Sequence, residues 1–311
     1  MLDISEHEVF TSLNSIGDWV RWTTSQYYHH GVYFGHGTDN AWDEALQSVM
    51  HILHLPVESD AIVFHANLTV SEKKGVLQIV KERINTRKPL PYLTNVAWFM
   101  GMHFFVDERV LIPRSLIAEF IERQLSPWVT DPDAQLNILD MCTGSGCLAI
   151  GCAMTFPYST IDAVDKFDTA LEVATQNITH YDLQRRINLI QSDLFNELGD
   201  ATYDVILSNP PYVSSSEMEG LPPEYNHEPV CALEADDNGL SIVDRILASA
   251  ASHLNDDGIL IVEVGNAHES VCEKYPDLPF VWLTPERGEY GIFLITKEQL
   301  VNQEERANVG E

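Results

Sequence analysis

Basic residues are scarce in this chain. It carries 18 Lys and Arg against 47 Asp and Glu, a formal charge of −29 over 311 residues. A protein that follows a phosphate backbone needs Lys and Arg, so the deficit argues against direct binding of nucleic acid. The same excess of acid favours solubility and a basic partner. Cysteines are few as well. The five are Cys142, Cys147, Cys152, Cys231 and Cys272, an odd count with no C-x-x-C pair. Neither a zinc site nor a disulfide framework is indicated. The first residues, Met1-Leu2-Asp3-Ile4-Ser5-Glu6, show no cationic segment with an apolar core, so no signal peptide is expected. No apolar run approaches the roughly 20 residues of a membrane span. These absences point to the cytoplasm and away from a membrane.

Histidines are present but carry no pattern. His29, His30, His36, His51, His54 and His65 fall in the first part of the chain, and His51 and His54 can share a helix face. A metal site needs a third ligand with groups behind it to orient the set. Nothing in the sequence supplies one, so no metal is expected.

What is present is a strand followed by an unusual turn. Tyr203-Asp204-Val205-Ile206-Leu207 reads as a short apolar strand, and Ser208-Asn209-Pro210-Pro211-Tyr212 follows. Each proline fixes its own φ and lacks an N–H. Each also pushes the residue before it toward extended geometry. The result is a stiff turn at a strand end, bearing an amide and an aromatic ring. Such a turn can hold a planar nitrogen. The Asn209 side-chain oxygen and a proline carbonyl accept its two hydrogens, and Tyr212 covers its face. A plain strand-terminating turn is the alternative, and it weakens when a cofactor loop lies upstream.

That loop is found at 141–146. Leu136-Asn137-Ile138-Leu139-Asp140 reads as a strand, Met141-Cys142-Thr143-Gly144-Ser145-Gly146 as a glycine turn, and Cys147 onward as a helix. Glycines there let backbone approach a ligand closely. Gly144-x-Gly146-x-x-Ala149 also fits the dinucleotide fingerprint, so the loop alone does not name its cofactor. A second strand, Thr160–Val164, ends at Asp165. An acid about 20 residues beyond the glycines is where a ribose-binding carboxylate belongs.

Asp140 with its glycine turn, Asp165, Ser192-Asp193-Leu194-Phe195 and Asn209-Pro-Pro-Tyr212, in that order, resemble the class I S-adenosylmethionine-dependent methyltransferases. Asn-Pro-Pro-Tyr narrows the resemblance to enzymes that methylate planar nitrogens, in adenine or in a glutamine side chain. The stretch from Val213 through Glu217, Glu224, His227, Glu228, Pro229 and Leu233 to Gly239-Leu240 is similar to the protein-glutamine methyltransferases. It is most similar to the branch acting on a large-subunit ribosomal protein, uL3. Phe34-Gly35-His36-Gly37-Thr38-Asp39-Asn40-Ala41-Trp42 looks like the same branch, so the resemblance spans about 20–296.

The resemblance implies cofactor contacts from Asp140, Cys142, Thr143, Gly144, Ser145, Gly146, Asp165, Asp193 and Asn209. Within that set it places Asp140 near the amino group of S-adenosylmethionine, Asp165 on the ribose hydroxyls and Asp193 near the adenine amine. It gives Asn209, Pro210, Pro211 and Tyr212 to the substrate, with Asn209, Pro210 and Tyr212 catalytic. Arg114, in Ile112-Pro113-Arg114, faces the methionine carboxylate or forms a structural ion pair. Three carboxylates around a sulfonium are electrostatically sensible, and they make a poor nest for a pyrophosphate.

The expected architecture is α/β: a Rossmann-like methyltransferase with a mostly parallel sheet, preceded by a small helical domain and a linking hairpin. Residues 1–88 form the helical domain, which would recognise substrate. Helices are expected over 5–29, opened by a capping box at Ser5–Glu8, after Asp39, and from Thr69–Glu72 to Arg87. Residues 89–113 form the hairpin linker, turning near Gly101. Residues 114–296 form the methyltransferase domain, with strands near 137–141, 160–164, 187–191, 203–208, 258–264 and 290–296. Residues 297–311 read as a polar tail.

Other readings stay open beside glutamine methylation of a ribosomal protein. One is glutamine methylation of a release factor. Another is adenine N6 methylation of nucleic acid, where base flipping delivers the amine. A nicotinamide-dependent oxidoreductase rests on the glycine fingerprint alone and leaves Asn209–Tyr212 without a role. An assembly factor that docks rather than catalyses is the fourth.

Overall fold

The protein is described from a computed structural model at residues 6–286 and 291–302. Ser5 of the first expected capping box and residue 290 of the last expected strand fall outside those ranges. The chain divides into two compact units. One comprises residues up to Ala97 together with Pro222–His227, and the other comprises the remainder.

The first unit is helical. The single helix expected over 5–29 is two, α1 (Glu6–Ser12) and α2 (Ile16–His29). Ser15 Oγ accepts from Asp18 N, and the Asp18 carboxylate accepts from the backbone N–H groups of Ser15 and Asn14 at 2.9 and 3.0 Å. That capping box starts a new helix where the heptad-like apolar spacing alone reads as one. Helix α3 (Ala41–Leu53) is capped by Asn40, and α4 (Val70–Thr86) opens on the Thr69–Glu72 box. A short α5 (Leu90–Thr94) follows, where the sequence reads as extended. Pro91 lies in its first turn, where a missing N–H breaks no helical bond.

Trp19, Val20, Tyr27, Val49, Met50, Val76 and Val80 form the core of this unit. Arg83 is wholly buried within it. Its guanidinium donates to Glu44 at 2.7 Å, to Glu224 at 3.3 Å and to the Tyr33 carbonyl at 2.8 Å. A buried cation needs such partners to offset its desolvation. His36 is also buried, with its ring against Tyr33 and Tyr225.

A hairpin of β1 (Ala97–Phe99) and β2 (Met102–Phe104) turns at Met100 and Gly101. Both have positive φ, 49° and 68°, as a two-residue hairpin turn of the right twist requires. Helix α6 (Ile117–Glu122) precedes an alternation of strands and helices: β3 (Asn137–Met141), α7 (Cys147–Thr155), β4 (Thr160–Asp165), α8 (Asp168–His180), β5 (Ile187–Gln191) and β6 (Tyr203–Ser208). The chain continues through α9 (Ser215–Met218), α10 (Ser241–His253), β7 (Leu254–Glu263), α11 (His268–Lys274), β8 (Val281–Leu283) and β9 (Ile292–Thr296).

The sheet order is β5-β4-β3-β6-β7-β9-β8. The first five strands are parallel, and β9 runs antiparallel to both of its neighbours, β7 and the edge strand β8. Strand β8 is three residues long and has no alternation to reveal it in the sequence. Residues 297–302 are helical, and Leu300 is buried in the sheet's core, where the sequence reads as the start of a polar tail.

From β3 the chain winds outward through β4 to β5, then returns to place β6 on the other side of β3. The order reverses there, which opens a crevice beyond the carboxyl ends of β3 and β6. Strands β3 and β6 are buried along nearly their whole length, as central parallel strands covered by helices are. This is the Rossmann-like class I architecture. Among the described residues no helix is long and apolar enough to cross a membrane.

Candidate active site

The cavity at this switch point has a volume of about 310 Å³ and is walled by residues of the second unit. Met141 of β3 pairs with Ser208 of β6, and the Ser208 hydroxyl donates to the Met141 carbonyl at 2.9 Å. The residues just beyond, Cys142 and Asn209, both line the cavity. The two motifs are therefore brought side by side by strand register.

The glycine loop is built by its own backbone. Cys142, Gly144 and Gly146 have positive φ, at 63°, 54° and 80°. A Cβ at Gly146 would lie 3.3 Å from Ala174 Cβ, so a bare backbone lets α7 pack on α8. Gly146 is also the N-cap of α7 and has no side chain to cap it. Asp140 supplies the cap from β3 instead. Its Oδ2 accepts from Ala149 N at 3.0 Å and from Thr143 Oγ1 at 2.5 Å. A carboxylate there also faces the positive end of the helix. Asp140 is wholly buried and is not on the cavity wall; its Oδ2 shapes the loop, and its Oδ1 finds no hydrogen-bond partner among the described residues. Burial pushes its pKa up to about 7, against the pull of Thr143 and Ala149.

Asp165, the last residue of β4, does line the cavity. Its two oxygens accept from Gly144 N at 2.9 Å and Phe167 N at 3.0 Å. Burial raises its pKa, opposed by those backbone donors. Asp193 lies on the wall between Lys166 at 3.2 Å and Arg245 at 2.9 Å. Burial pushes its pKa up, but the two cations prevail and hold it below the usual range. Arg114 makes a bidentate ion pair with the buried Glu228, at 2.6 and 2.7 Å, which is the structural alternative of its two readings. Glu228 also accepts from Ile112 N. The pair fixes the Ile112-Pro113-Arg114 segment along the wall.

Of the expected site residues, Cys142, Thr143, Gly144, Ser145, Asp165, Asp193, Asn209 and Pro211 line the cavity. Asp140, Gly146, Pro210 and Tyr212 do not. The Tyr212 ring lies against Gly265, and its hydroxyl donates to Glu263 at 3.4 Å. Asn209 Oδ1 is buried and finds no hydrogen-bond partner among the described residues. Burial raises the Cys142 thiol and lifts Cys147 to about 12, so neither is a thiolate near neutral pH.

Residues 124–221 match the family described as Methyltransferase small domain. A Francisella tularensis protein named ribosomal protein uL3 glutamine methyltransferase is 43% identical over 296 residues, covering 95% of this chain and 94% of that one. A Bordetella pertussis protein of the same name is 46% identical over 288 residues, covering 93% and 97%. The chain belongs to the ribosomal protein uL3 glutamine methyltransferases. A solved methyltransferase from Pyrococcus furiosus, 17% identical, superposes with a TM-score of 0.46 over 63% of this chain and 89% of its own.

This methyltransferase takes its methyl group from S-adenosylmethionine. The wall suits that cation. The carboxylates of Asp165, Asp193, Glu234 and Asp236 line the cavity. The cations that line it are already paired, Arg109 with Asp107 and Glu172, Arg114 with Glu228, and Lys166 with Asp193. A pyrophosphate would meet carboxylates and committed cations, which removes the support for a nicotinamide dinucleotide.

Two residues escaped the sequence reading. Glu228 stands in the stretch that carries the resemblance, but its role emerges only once Arg114 is seen beside it. Glu263 ends the apolar run of β7 as Asp165 ends that of β4, and this same signal was there to be read.

Proposed function

We propose that this enzyme methylates the side-chain amide nitrogen of a glutamine in ribosomal protein uL3, and that it does so in the cytoplasm. The observation that carries the reading is the buried, unpartnered Asn209 Oδ1 beside the glycine loop. A buried acceptor without a donor costs roughly 1–3 kcal/mol. A substrate N–H group removes that cost.

An amide nitrogen is a poor nucleophile, because its lone pair is delocalised into the carbonyl. Positioning is therefore the main resource. Asn209 accepts an amide hydrogen and turns the lone pair toward the methyl donor, while Pro210, off the cavity wall, stiffens the turn that carries Asn209. Near-attack placement supplies up to roughly 7–11 kcal/mol in favourable cases. S-adenosylmethionine, when bound, supplies an electrophilic methyl group on a sulfonium. Asp165 and Asp193 would hold its ribose and adenine ends, and Cys142, Thr143, Gly144 and Ser145 would line its site. As the nitrogen gains the methyl it becomes cationic, so the contact to Asn209 strengthens in the transition state. The charged nitrogen then passes one proton to solvent water, leaving a neutral N-methyl amide. The helical unit contributes substrate recognition, and the acidic charge favours encounter with a basic ribosomal protein.

The test is methyl transfer from labelled S-adenosylmethionine to free uL3, mature large subunits, a release factor and adenine-containing DNA. Free uL3 should be labelled fastest, on one glutamine. Preferred labelling of the release factor or of DNA overturns the assignment.

A further inference from the structure

Tyr212 belongs to the reacting motif by sequence, yet it faces away from the cavity. Its surroundings are closely built. On one side lies Gly265, with φ of 45°, where an added Cβ would stand 2.5 Å from Tyr212 Cε2 and 2.9 Å from Cζ. On another lies Gly239, with φ of 84°, where a Cβ would collide with the Tyr212 carbonyl oxygen. Gly265 is fixed in turn. Its N–H and that of Val264 donate to the Gly291 carbonyl at 3.2 and 2.7 Å. At the ring's end is the Glu263 carboxylate, 6% exposed. Its Oε1 accepts from the Tyr212 hydroxyl at 3.4 Å. Its Oε2 accepts from Ser115 Oγ at 2.6 Å and Leu116 N at 3.0 Å. Glu263 does not line the cavity, so it is not placed to touch substrate.

We propose that Glu263, Gly239 and Gly265 form a socket for Tyr212, and that this socket sets the position of the Asn209 amide. The inference rests on the role given to Asn209 above. Between Tyr212 and Asn209 stand only Pro210 and Pro211. Both have φ fixed by their rings and bias the residue before them, so the link has little slack. Holding Tyr212 therefore holds Asn209. The next residue is pinned as well: Val213 N donates to Leu233 O at 2.8 Å, and Ala235 N donates to Val213 O at 2.9 Å. Glu263 does a second thing. Through Ser115 and Leu116 it holds the segment that follows Pro113 and Arg114 on the cavity wall. One buried carboxylate thus ties the Asn209 turn to another part of the same wall. Glu263 is a positioning residue, acting through Tyr212.

A double-mutant cycle tests this. E263Q and Y212F should each lower kcat between about 10- and 100-fold, the range expected when a reacting group is misplaced. Affinity for S-adenosylmethionine, by calorimetry, should stay within about twofold in Y212F, whose ring is off the cavity wall and holds no other part of it. The double variant should be no slower than the slower single one. Losses that multiply, or an unchanged kcat in either variant, overturn the socket. Amide exchange of residues 207–214 is read on the same proteins without turnover, and it should quicken in both variants. Unchanged protection also overturns the proposal. If E263Q does not fold, Y212F alone carries both readouts. Failure of the wild type to methylate uL3 would instead refute the substrate assignment and leave the exchange test standing.

Discussion

On the glycine-loop side of the cavity, both oxygens of Asp165 already hold backbone N–H groups, and Asp140 Oδ2 already caps a helix. On the strand-end side, Asn209 Oδ1 is buried and holds nothing among the described residues. The loop backbone of the first side is held before any ligand arrives, so little reorganisation accompanies cofactor binding, although Asp140 Oδ1, like Asn209 Oδ1, is buried without a partner among the described residues. The second side would be completed by the substrate amide. That division suits a reaction whose donor is always the same molecule and whose acceptor is one particular amide, because an empty buried acceptor rejects groups that bring no N–H.

The largest expected effect breaks the comparison at its empty end. Asn209→Ala should lower kcat by about 10²–10³-fold, the loss seen when one preorganised hydrogen-bonding group is removed from a reacting centre. Affinity for S-adenosylmethionine should be largely retained. Single-turnover methylation and calorimetry on the same protein separate the two, and near-wild-type turnover would sink the mechanism.

Asp165→Ala attacks the glycine-loop side and should do the reverse. It deletes the ribose contact proposed above and releases Gly144 N, so S-adenosylmethionine should bind more weakly by about 1.5–3 kcal/mol. Asp165→Asn should rescue little, because its amide NH₂ would face one of two backbone donors that both need an acceptor. Equal affinity in a folded Asp165→Ala protein contradicts this reading of the wall.

How far this division was legible in the sequence depends on the kind of signal. Asp165, the glycines and Asn209 sit at strand ends, and alternating strands and helices bring strand ends together by topology alone. Asp140 obeys the same positional rule, yet it turns inward, because Gly146 leaves α7 without a cap and nothing local in the sequence says which group will fill that place. Tyr212 diverges for a related reason. Its ring is held by Gly239, Gly265 and Glu263, all from later in the chain. In the helical unit the Thr69–Glu72 box read correctly, while Ser15–Asp18 was hidden inside an apolar spacing that runs through it. Arg83 and Glu224 stand 141 residues apart, and no sequence pattern links them.

Asp140 offers a pH test of the glycine-loop side. Its pKa in the folded protein is about 7, above the ordinary value of 3.8, so the fold favours the protonated form. Between those values the folded state keeps a proton that the unfolded state gives up. The resulting stability is fully present below about 3.8 and is lost as pH rises through about 7. Over that window it amounts to something on the order of 2–4 kcal/mol. Asp140→Asn keeps an acceptor for Thr143 and Ala149 and removes the titration. Thermal unfolding at pH 5 and pH 8 should show the wild type losing more stability than the variant. Parallel losses would mean that Asp140 is not the group responsible.

The smallest effect concerns capture rather than chemistry. The charge of −29 acts on a basic partner before contact, and it raises the encounter rate more than the final affinity. At about 0.15 M ionic strength its range is only some 8 Å, and it shortens further as salt is added. In the proposed site S-adenosylmethionine would meet Asp165 and Asp193 within the cavity, and buried or partly buried pairs are screened much less. Raising salt should therefore lower kcat/KM for uL3 several-fold while the calorimetric Kd for S-adenosylmethionine changes little. If Kd for S-adenosylmethionine rises as kcat/KM falls, the acidic surface acts on the cofactor too and the loss is not specific to protein capture. If neither changes, the charge of that surface has no part in capture, and recognition rests on contacts made after docking. A mature large subunit used as acceptor sharpens this outcome: a glutamine packed against RNA cannot enter a strand-end cavity, so its labelling should stay slow at every salt concentration.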